Sequence, residues 1–104
     1  MSRPIVVDIP HQLGAAEARR RIDQGFARFA AEVGGSMVAQ VRHDWIANDM
    51  TFSFGALGQV INGVILVQDT MVRVEVTLPG ILGMMTDAIR GKVEKQGRLL
   101  LGRR

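Results

Sequence analysis

The sequence predicts an α+β fold in which an open antiparallel sheet of four to five strands carries two helices on one face. Three observations lead to this prediction. Apolar and polar residues alternate in several short segments, apolar residues recur at helical spacing near each end of the chain, and turn residues separate these segments. The resulting order is β-α-β-β-β-β-α, and we expect residues 1–104 to form a single domain.

The first strand and the first helix occupy the first third of the chain. Residues Ile5 to Ile9 alternate as a strand does, and Pro10 ends it. A helix is predicted from about Ala15 to Val33, with Gly14 as a weak N-cap and Gly34-Gly35 as its stop. Its apolar stripe comprises Ala15, Ala18, Ile22, Phe26, Phe29 and Val33. Three pairs of opposite charge lie four residues apart on its other faces: Glu17–Arg21, Arg19–Asp23 and Arg28–Glu32.

Four more strands are predicted, with turn residues between them. Alternation runs from Met37 to Trp45, from Met50 to Phe54, from Gln59 to Val67 and from Val72 to Leu78, separated by Asn48-Asp49, by Gly55 and Gly58, and by Gln68-Asp69-Thr70. The segment from Gln59 to Val67 is apolar on both faces, which indicates a central strand or one covered on both sides. Its Asn62-Gly63 dipeptide suits a tight hairpin turn. We favour a bulge within one strand instead, because residues 68–70 form the better-placed turn.

The last helix follows a sharp break. Pro79-Gly80 ends the preceding strand, and the period then changes from two to that of a helix. The predicted stripe comprises Leu82, Met85, Ile89 and Val93. Three glycines, Gly83, Gly91 and Gly97, each weaken this helix by about 1 kcal/mol relative to alanine.

Composition excludes several classes of protein. The 47% hydrophobic content is that of a globular chain, and the absence of cysteine excludes disulfides, thiolate metal sites and thiol nucleophiles. No apolar run has the length of a membrane-spanning helix, and the N-terminus lacks the apolar segment of a signal peptide, so we expect a cytoplasmic protein. Residues 90–104 carry six Lys or Arg and one Glu, a net +5 that leaves −2 for the other 89 residues.

No catalytic or metal-binding constellation is present in the sequence. His11 and His43 are the only histidines, and neither has a second ligand at metal spacing. Asp44 follows His43 in a predicted strand, so the two side chains point to opposite faces. A structural hydrogen bond is the expected role of each histidine. We therefore expect a protein that is not an enzyme and that has no cofactor.

The last helix is the best candidate for a contact site. Its apolar start is wider than one buried stripe requires, and we predict contact with an apolar partner surface through Ile81, Leu82, Met84, Met85 and Ile89. Its basic second half predicts contact with an anionic surface through Arg90, Lys92, Lys95 and Arg98, continued by a basic tail at about residues 98–104. Alternatively, the same face packs on the sheet or in a homodimer, and the basic residues complement the helix dipole. The scarcity of aromatic residues argues against nucleic-acid binding.

Three segments, taken in order, resemble the polyhydroxyalkanoic acid system family. They are the first strand with His11-x-Leu13 and the helix containing Glu17-Ala18, the pair Met50–Ser53 and Gly58–Val67, and Val72–Val76 running into Ile81–Met85. The resemblance covers roughly residues 5 to 96 and is most specific between Arg73 and Met85. The chain departs from the family in having Gly14 at the N-cap and in its basic, leucine-rich tail.

The resemblance implies a function associated with bacterial polyester storage granules and no established catalytic residues. We expect a non-catalytic accessory protein that contacts the granule surface, or a granule-associated protein, through its last helix. The element order also resembles a shortened helix-grip domain. The alternative function is therefore binding of a fatty or hydroxyacyl group between sheet and helix, with Trp45, Phe52 and Phe54 among the lining residues and a cavity of a few hundred Å³.

Overall fold

The elements follow the predicted order. A computed structural model describes residues 4–35, 38–56 and 58–102 of the chain, without the side chain of Ile81. The elements are β1 (Ile5–Pro10), α1 (Ala15–Gly34), β2 (Ala39–Ile46), β3 (Asp49–Ala56), β4 (Gln59–Val67), β5 (Met71–Thr77), a 3-10 helix (Gly80–Met85) and α2 (Thr86–Leu101). Predicted strand residue Met37 and the end of the basic tail, Arg103 and Arg104, lie outside the described residues.

All five strands form one antiparallel sheet in the order β1-β5-β4-β3-β2. Strands β2 to β5 pair with their neighbours in sequence. Strand β1 forms the edge next to β5, with Ile5 opposite Val76. Strand β4 is therefore central, one of the two alternatives predicted for it, and Val64 and Leu66 on its second face are half-buried between the neighbouring strands. The predicted fold class is confirmed.

Strand β4 is continuous through Asn62-Gly63, so the predicted single strand is correct and the predicted bulge is wrong. Its register with β3 and β5 is unbroken. Gly63 lies opposite Phe52, and a Cβ atom at this position would overlap both the Phe52 ring and the carbonyl oxygen of Glu75. The glycine is needed for close packing rather than for a turn. The register shift lies in β2 between Ala39 and Arg42.

Helix α1 begins and ends at glycines, as predicted, but its first turn is capped from elsewhere. Gly14 offers no side chain, and the backbone N–H of Ala15 instead donates to Oδ1 of Asp69 at 3.2 Å, from the turn between β4 and β5. At the other end Gly35 has φ +80° and donates its N–H to the carbonyl oxygen of Ala31. The buried stripe comprises Ala18, Ile22, Phe26, Phe29, Ala30 and Val33.

The core lies between one face of the sheet and the two helices. Helix α2 packs against α1 and β1. The buried strand residues are Ile5, Val7, Ile9, Met50, Phe52, Phe54, Ala56, Ile61, Ile65, Val67, Val72, Val74 and Val76. Gly97 of α2 is buried directly against Ile9, so this glycine lets the helix approach the sheet closely. No described element covers the opposite face of the sheet, where Val60 is 58% exposed.

Candidate functional site

A short, locally bonded turn links the sheet to the last helix. Pro79 ends the strand region with φ −67°, and its carbonyl oxygen accepts the N–H groups of Leu82 at 2.9 Å and Gly83 at 3.1 Å. The Thr86 hydroxyl donates to the Gly83 carbonyl at 2.6 Å. These three bonds fix the backbone of the 3-10 helix, which the sequence pattern did not distinguish from the α-helix that follows it.

The predicted contact residues separate into two groups. Leu82 and Ile89 are only 4% and 7% exposed and belong to the core. Met84 and Met85 are 88% and 45% exposed. The side chain of Ile81 lies outside the described part of the chain. The Met84–Met85 turn is thus an exposed apolar feature anchored by buried neighbours on both sides.

An apolar cleft of about 90 Å³ opens beside Met85. It lies at the end of the sheet where α1 ends and α2 begins. Its lining residues are Val33, Gly34, Ala56, Ile61, Val76, Leu82, Met85, Ala88, Ile89 and Lys92. Lys92 is the charged residue of this lining, and sequence analysis had grouped it with the basic half of the helix. Its spacing of seven from Met85, two helical turns, is the signal that could have placed it here.

The four predicted cationic residues are exposed on α2. Arg90 reaches the sheet, where its Nη1 donates to the Val6 carbonyl at 3.2 Å. Arg98 pairs with Glu94 at 3.2 Å. Lys92 and Lys95 form no ion pair within the described ranges. Lys92, Lys95 and Arg98 follow one another at spacings of three and form a cationic row along α2, leading away from the Met84–Met85 turn. Arg90 lies on another side of the helix, about 200° from Lys92.

Exposed Leu99 interrupts that cationic row. It is 53% exposed and lines a shallow groove of about 380 Å³ together with Lys95, the Arg98–Glu94 ion pair and the two glycines Gly91 and Gly102. Sequence analysis placed Leu99 in a leucine-rich end without separating it from buried Leu101. Leu99 beside Lys95 thus resembles the exposed methionines beside Lys92 at the start of the helix, because in both places an exposed apolar side chain lies next to a lysine.

Both histidines make structural hydrogen bonds, as predicted. Buried His11 accepts the Leu13 N–H at Nδ1 (3.2 Å), so its Nε2 carries the proton and donates to the Gln68 carbonyl at 2.9 Å. His43 contacts Asp23 of α1 through Nε2 at 3.0 Å. Among residues 4–35, 38–56 and 58–102, no cluster of three or more His, Asp or Glu side chains could hold a metal ion.

Asp23 is the centre of a polar cluster that the sequence did not predict. Besides His43, it accepts the Trp45 indole N–H at 2.9 Å, and these two hydrogen bonds, that of His43 first, lower the pKa of Asp23. The predicted ion pair between Arg19 and Asp23 is not formed. The guanidinium of Arg19 instead lies 4.4 Å from the centre of the Trp45 ring and donates to the Ala47 carbonyl. The predicted pair of Glu17 and Arg21 is present at 2.9 Å.

The residues predicted to line a ligand pocket do not surround a common space. Phe52 and Phe54 stack in the core with their ring centroids 6.1 Å apart, whereas Trp45 lies on the edge strand β2. The void between helices and sheet beside Phe26 and Phe29 measures about 10 Å³, roughly the space of one water molecule. Ligand binding stays a prediction, and it would require the core to open.

Comparison with known protein families identifies the family of the chain. A family model described as "putative polyhydroxyalkanoic acid system protein" matches residues 5–101. Neither the curated proteins nor the solved structures include a match to the chain. In the described residues, none of the helices is both long and apolar enough to cross a membrane.

Proposed function

Since the chain belongs to the polyhydroxyalkanoic acid system protein family, we propose that it is a non-catalytic accessory protein of polyhydroxyalkanoate storage. It associates with cytoplasmic granules, or with a protein on them, through the Met84–Met85 turn. The observation that carries this proposal is the exposure of both methionines on a turn whose backbone is held by three local hydrogen bonds. A rigid turn of this kind presents apolar side chains without an ordering cost to its backbone.

The chemistry of the turn suits a polyester surface. Methionine side chains are flexible and polarizable, so they adapt to an irregular apolar surface. Burial of apolar surface contributes about 25 cal/mol per Å². The cleft beside Met85 adds a recess of about 90 Å³ into which a short side group of the polymer or of a partner protein fits. Buried Leu82 supports the turn from below.

The cationic row of α2 would add a second, salt-sensitive contribution. Lys92 lies at the cleft and Lys95 is exposed on the same helix. Their charges attract a surface only where that surface carries anionic groups, and salt screens the attraction beyond about 10 Å at 0.1 M ionic strength. Apolar contact through the methionines is much less sensitive to salt, so the two contributions can be separated by experiment.

The test is co-sedimentation of the purified protein with polyhydroxyalkanoate granules and with anionic lipid vesicles, at low and high salt. We expect binding to granules that persists at high salt and that Met84→Ser/Met85→Ser removes, with an unchanged far-UV circular dichroism spectrum. Val60→Ser is the matched control, because it removes an exposed apolar side chain from the outer face of the sheet. Granule binding retained by the double methionine variant would refute the proposal.

A second pair of variants measures the electrostatic part. Lys92→Gln/Lys95→Gln should weaken binding at low salt and leave the high-salt component unchanged. Arg28→Gln, which removes a positive charge from the exposed side of α1, is the control. If binding disappears at high salt for the unaltered protein, only the basic residues make contact and the role assigned to the methionines is wrong.

A further inference from the structure

The two edges of the sheet differ in how they are protected. Pro4 precedes strand β1 and Pro10 is its last residue, and proline offers no N–H to a neighbouring strand. The carbonyl of Val6, which the register directs outward, is already bonded to Arg90. Proline therefore protects both ends of this edge, and Arg90 occupies the Val6 carbonyl between them. Strand β2 forms the other edge and has no proline at either end. In the described residues, no arginine side chain bonds to its backbone.

The register of β2 shows which of its backbone groups face away from the sheet. Only two residues separate β2 from β3, so Ile46 and Asp49 form a hydrogen-bonded pair. By alternation, Arg42 and Asp44 also direct their backbone groups toward β3. The N–H and carbonyl groups of Val41, His43 and Trp45 then point outward, and in the described residues no loop or side chain bonds to them.

The inner face of this strand is also incompletely covered. The side chains of Val41, His43 and Trp45 point toward the helix layer, yet all three are only half-buried, whereas the inner residues of β3 are buried. Helix α1 packs over β4 and reaches β2 through the side chains of Asp23 and Arg19. Space for a further strand thus lies beside β2 without displacing α1.

We propose that β2 pairs with β2 of a second copy of this chain, antiparallel and around a two-fold axis at His43, to make a continuous ten-stranded sheet. Charge complementarity selects this register. It places Arg42 directly opposite Asp44 of the second copy, twice, on the outer face of the sheet, and Val41 opposite Trp45 on the inner face. Centring the axis on Arg42 or on Asp44 would instead place like charges opposite one another.

The limits of the strand agree with this centre. The irregularity at Gln40, which has φ +55°, interrupts pairing on one side, and the turn at Ala47, with φ +53°, ends it on the other. His43 is the middle one of the three outward-facing residues, three positions from Gln40 and four from Ala47. In the paired state the outward groups of residues 41, 43 and 45 bond to those of 45, 43 and 41 of the second copy. This dimer does not depend on the proposed granule contact, because β2 and the Met84–Met85 turn share no residue.

The test uses sedimentation velocity over a concentration series, with charge reversals at the two paired positions. On β3, Arg42 and Asp44 face uncharged Ser53 and Thr51, so reversing their charges leaves the monomer's own cross-strand pairs without repulsion. We expect the unaltered chain to dimerise and Arg42→Glu or Asp44→Arg to raise the dissociation constant at least tenfold, about 1.4 kcal/mol. The double variant R42E/D44R should restore the dimer.

The double variant also serves as the control for folding, since it contains both substitutions. An unaltered chain that stays monomeric at several hundred micromolar overturns the proposal. So does a dimer that is insensitive to the single reversals, or one that the double variant fails to restore while its circular dichroism is native. Amide hydrogen exchange gives an independent measurement: the amides of Val41, His43 and Trp45 should become protected as the dimer forms, and exchange that is independent of protein concentration contradicts the pairing.

Discussion

Substitution of Gly63 by alanine tests the packing at the centre of the sheet. The added methyl group would overlap the Phe52 ring and the backbone carbonyl of Glu75. Phe52 cannot easily yield, because it is buried between Phe26 (5.0 Å between ring centroids) and Phe54. Overpacking of a core costs about 1–3 kcal/mol. Replacing a strand glycine recovers about 0.5–1 kcal/mol of backbone entropy.

The net expectation is a loss of about 1 kcal/mol in the free energy of unfolding, or about 4 °C in Tm at about 4 °C per kcal/mol. Urea unfolding followed by circular dichroism and by the fluorescence of Trp45, the single tryptophan, measures it. All variants are compared at one protein concentration, because the proposed dimer would make stability concentration-dependent. Gly55→Ala is the matched control, since its Cβ would meet nothing closer than 3.5 Å. A Gly63→Ala protein as stable as the unaltered chain would refute the packing described here.

Two further predictions concern the start of α1. Asp69→Ala should lower the free energy of unfolding by about 0.5–2 kcal/mol, because the Ala15 N–H loses its cap, whereas Thr70→Ala in the same turn should not; thermal unfolding compares them. Two hydrogen bonds lower the pKa of Glu17 to about 2, the larger effect coming from Arg20 and the smaller from Arg21. A lowered pKa means stability that is present above the usual value near 4.5 and lost as the pH falls toward 2, so Glu17→Gln should flatten stability over this range and Glu32→Gln should not.

The sequence predicted what depends on local periodicity. Helix α1 was placed to within one residue at its end, and the five strands were identified because their alternation is strong. Contacts between residues far apart in the chain were not predictable in the same way. The cap from Asp69 joins residues 54 positions apart, and Asp23 meets Trp45 across 22 positions. Neither contact can be recognised from the local pattern of apolar and polar residues.

The candidate site was located from the sequence, but its exposed and buried residues were not separated. From Leu82 to Met85 the chain is apolar apart from one glycine, so hydropathy does not distinguish the anchoring residue from the exposed ones. The distinction arises because the Pro79 carbonyl holds this segment as a 3-10 helix. The Asn62-Gly63 dipeptide led to the wrong prediction of a bulge for a related reason. Such a pair is typical of turns, but here the glycine leaves space for the ring of Phe52.

A dimer formed through β2 has a geometric consequence for granule binding. The Met84–Met85 cleft is lined by Ala56, which lies at the same end of the sheet as the start of β2 because Ala39 pairs with Gly55. The two-fold axis reverses the strand direction, so the two Met84–Met85 turns point toward opposite ends of the ten-stranded sheet. Such a dimer bridges two surfaces instead of binding one surface twice. The unaltered protein should then cluster granules, as measured by light scattering, whereas Arg42→Glu should bind granules without clustering them and R42E/D44R should regain clustering. Clustering by the Arg42→Glu monomer would contradict this arrangement.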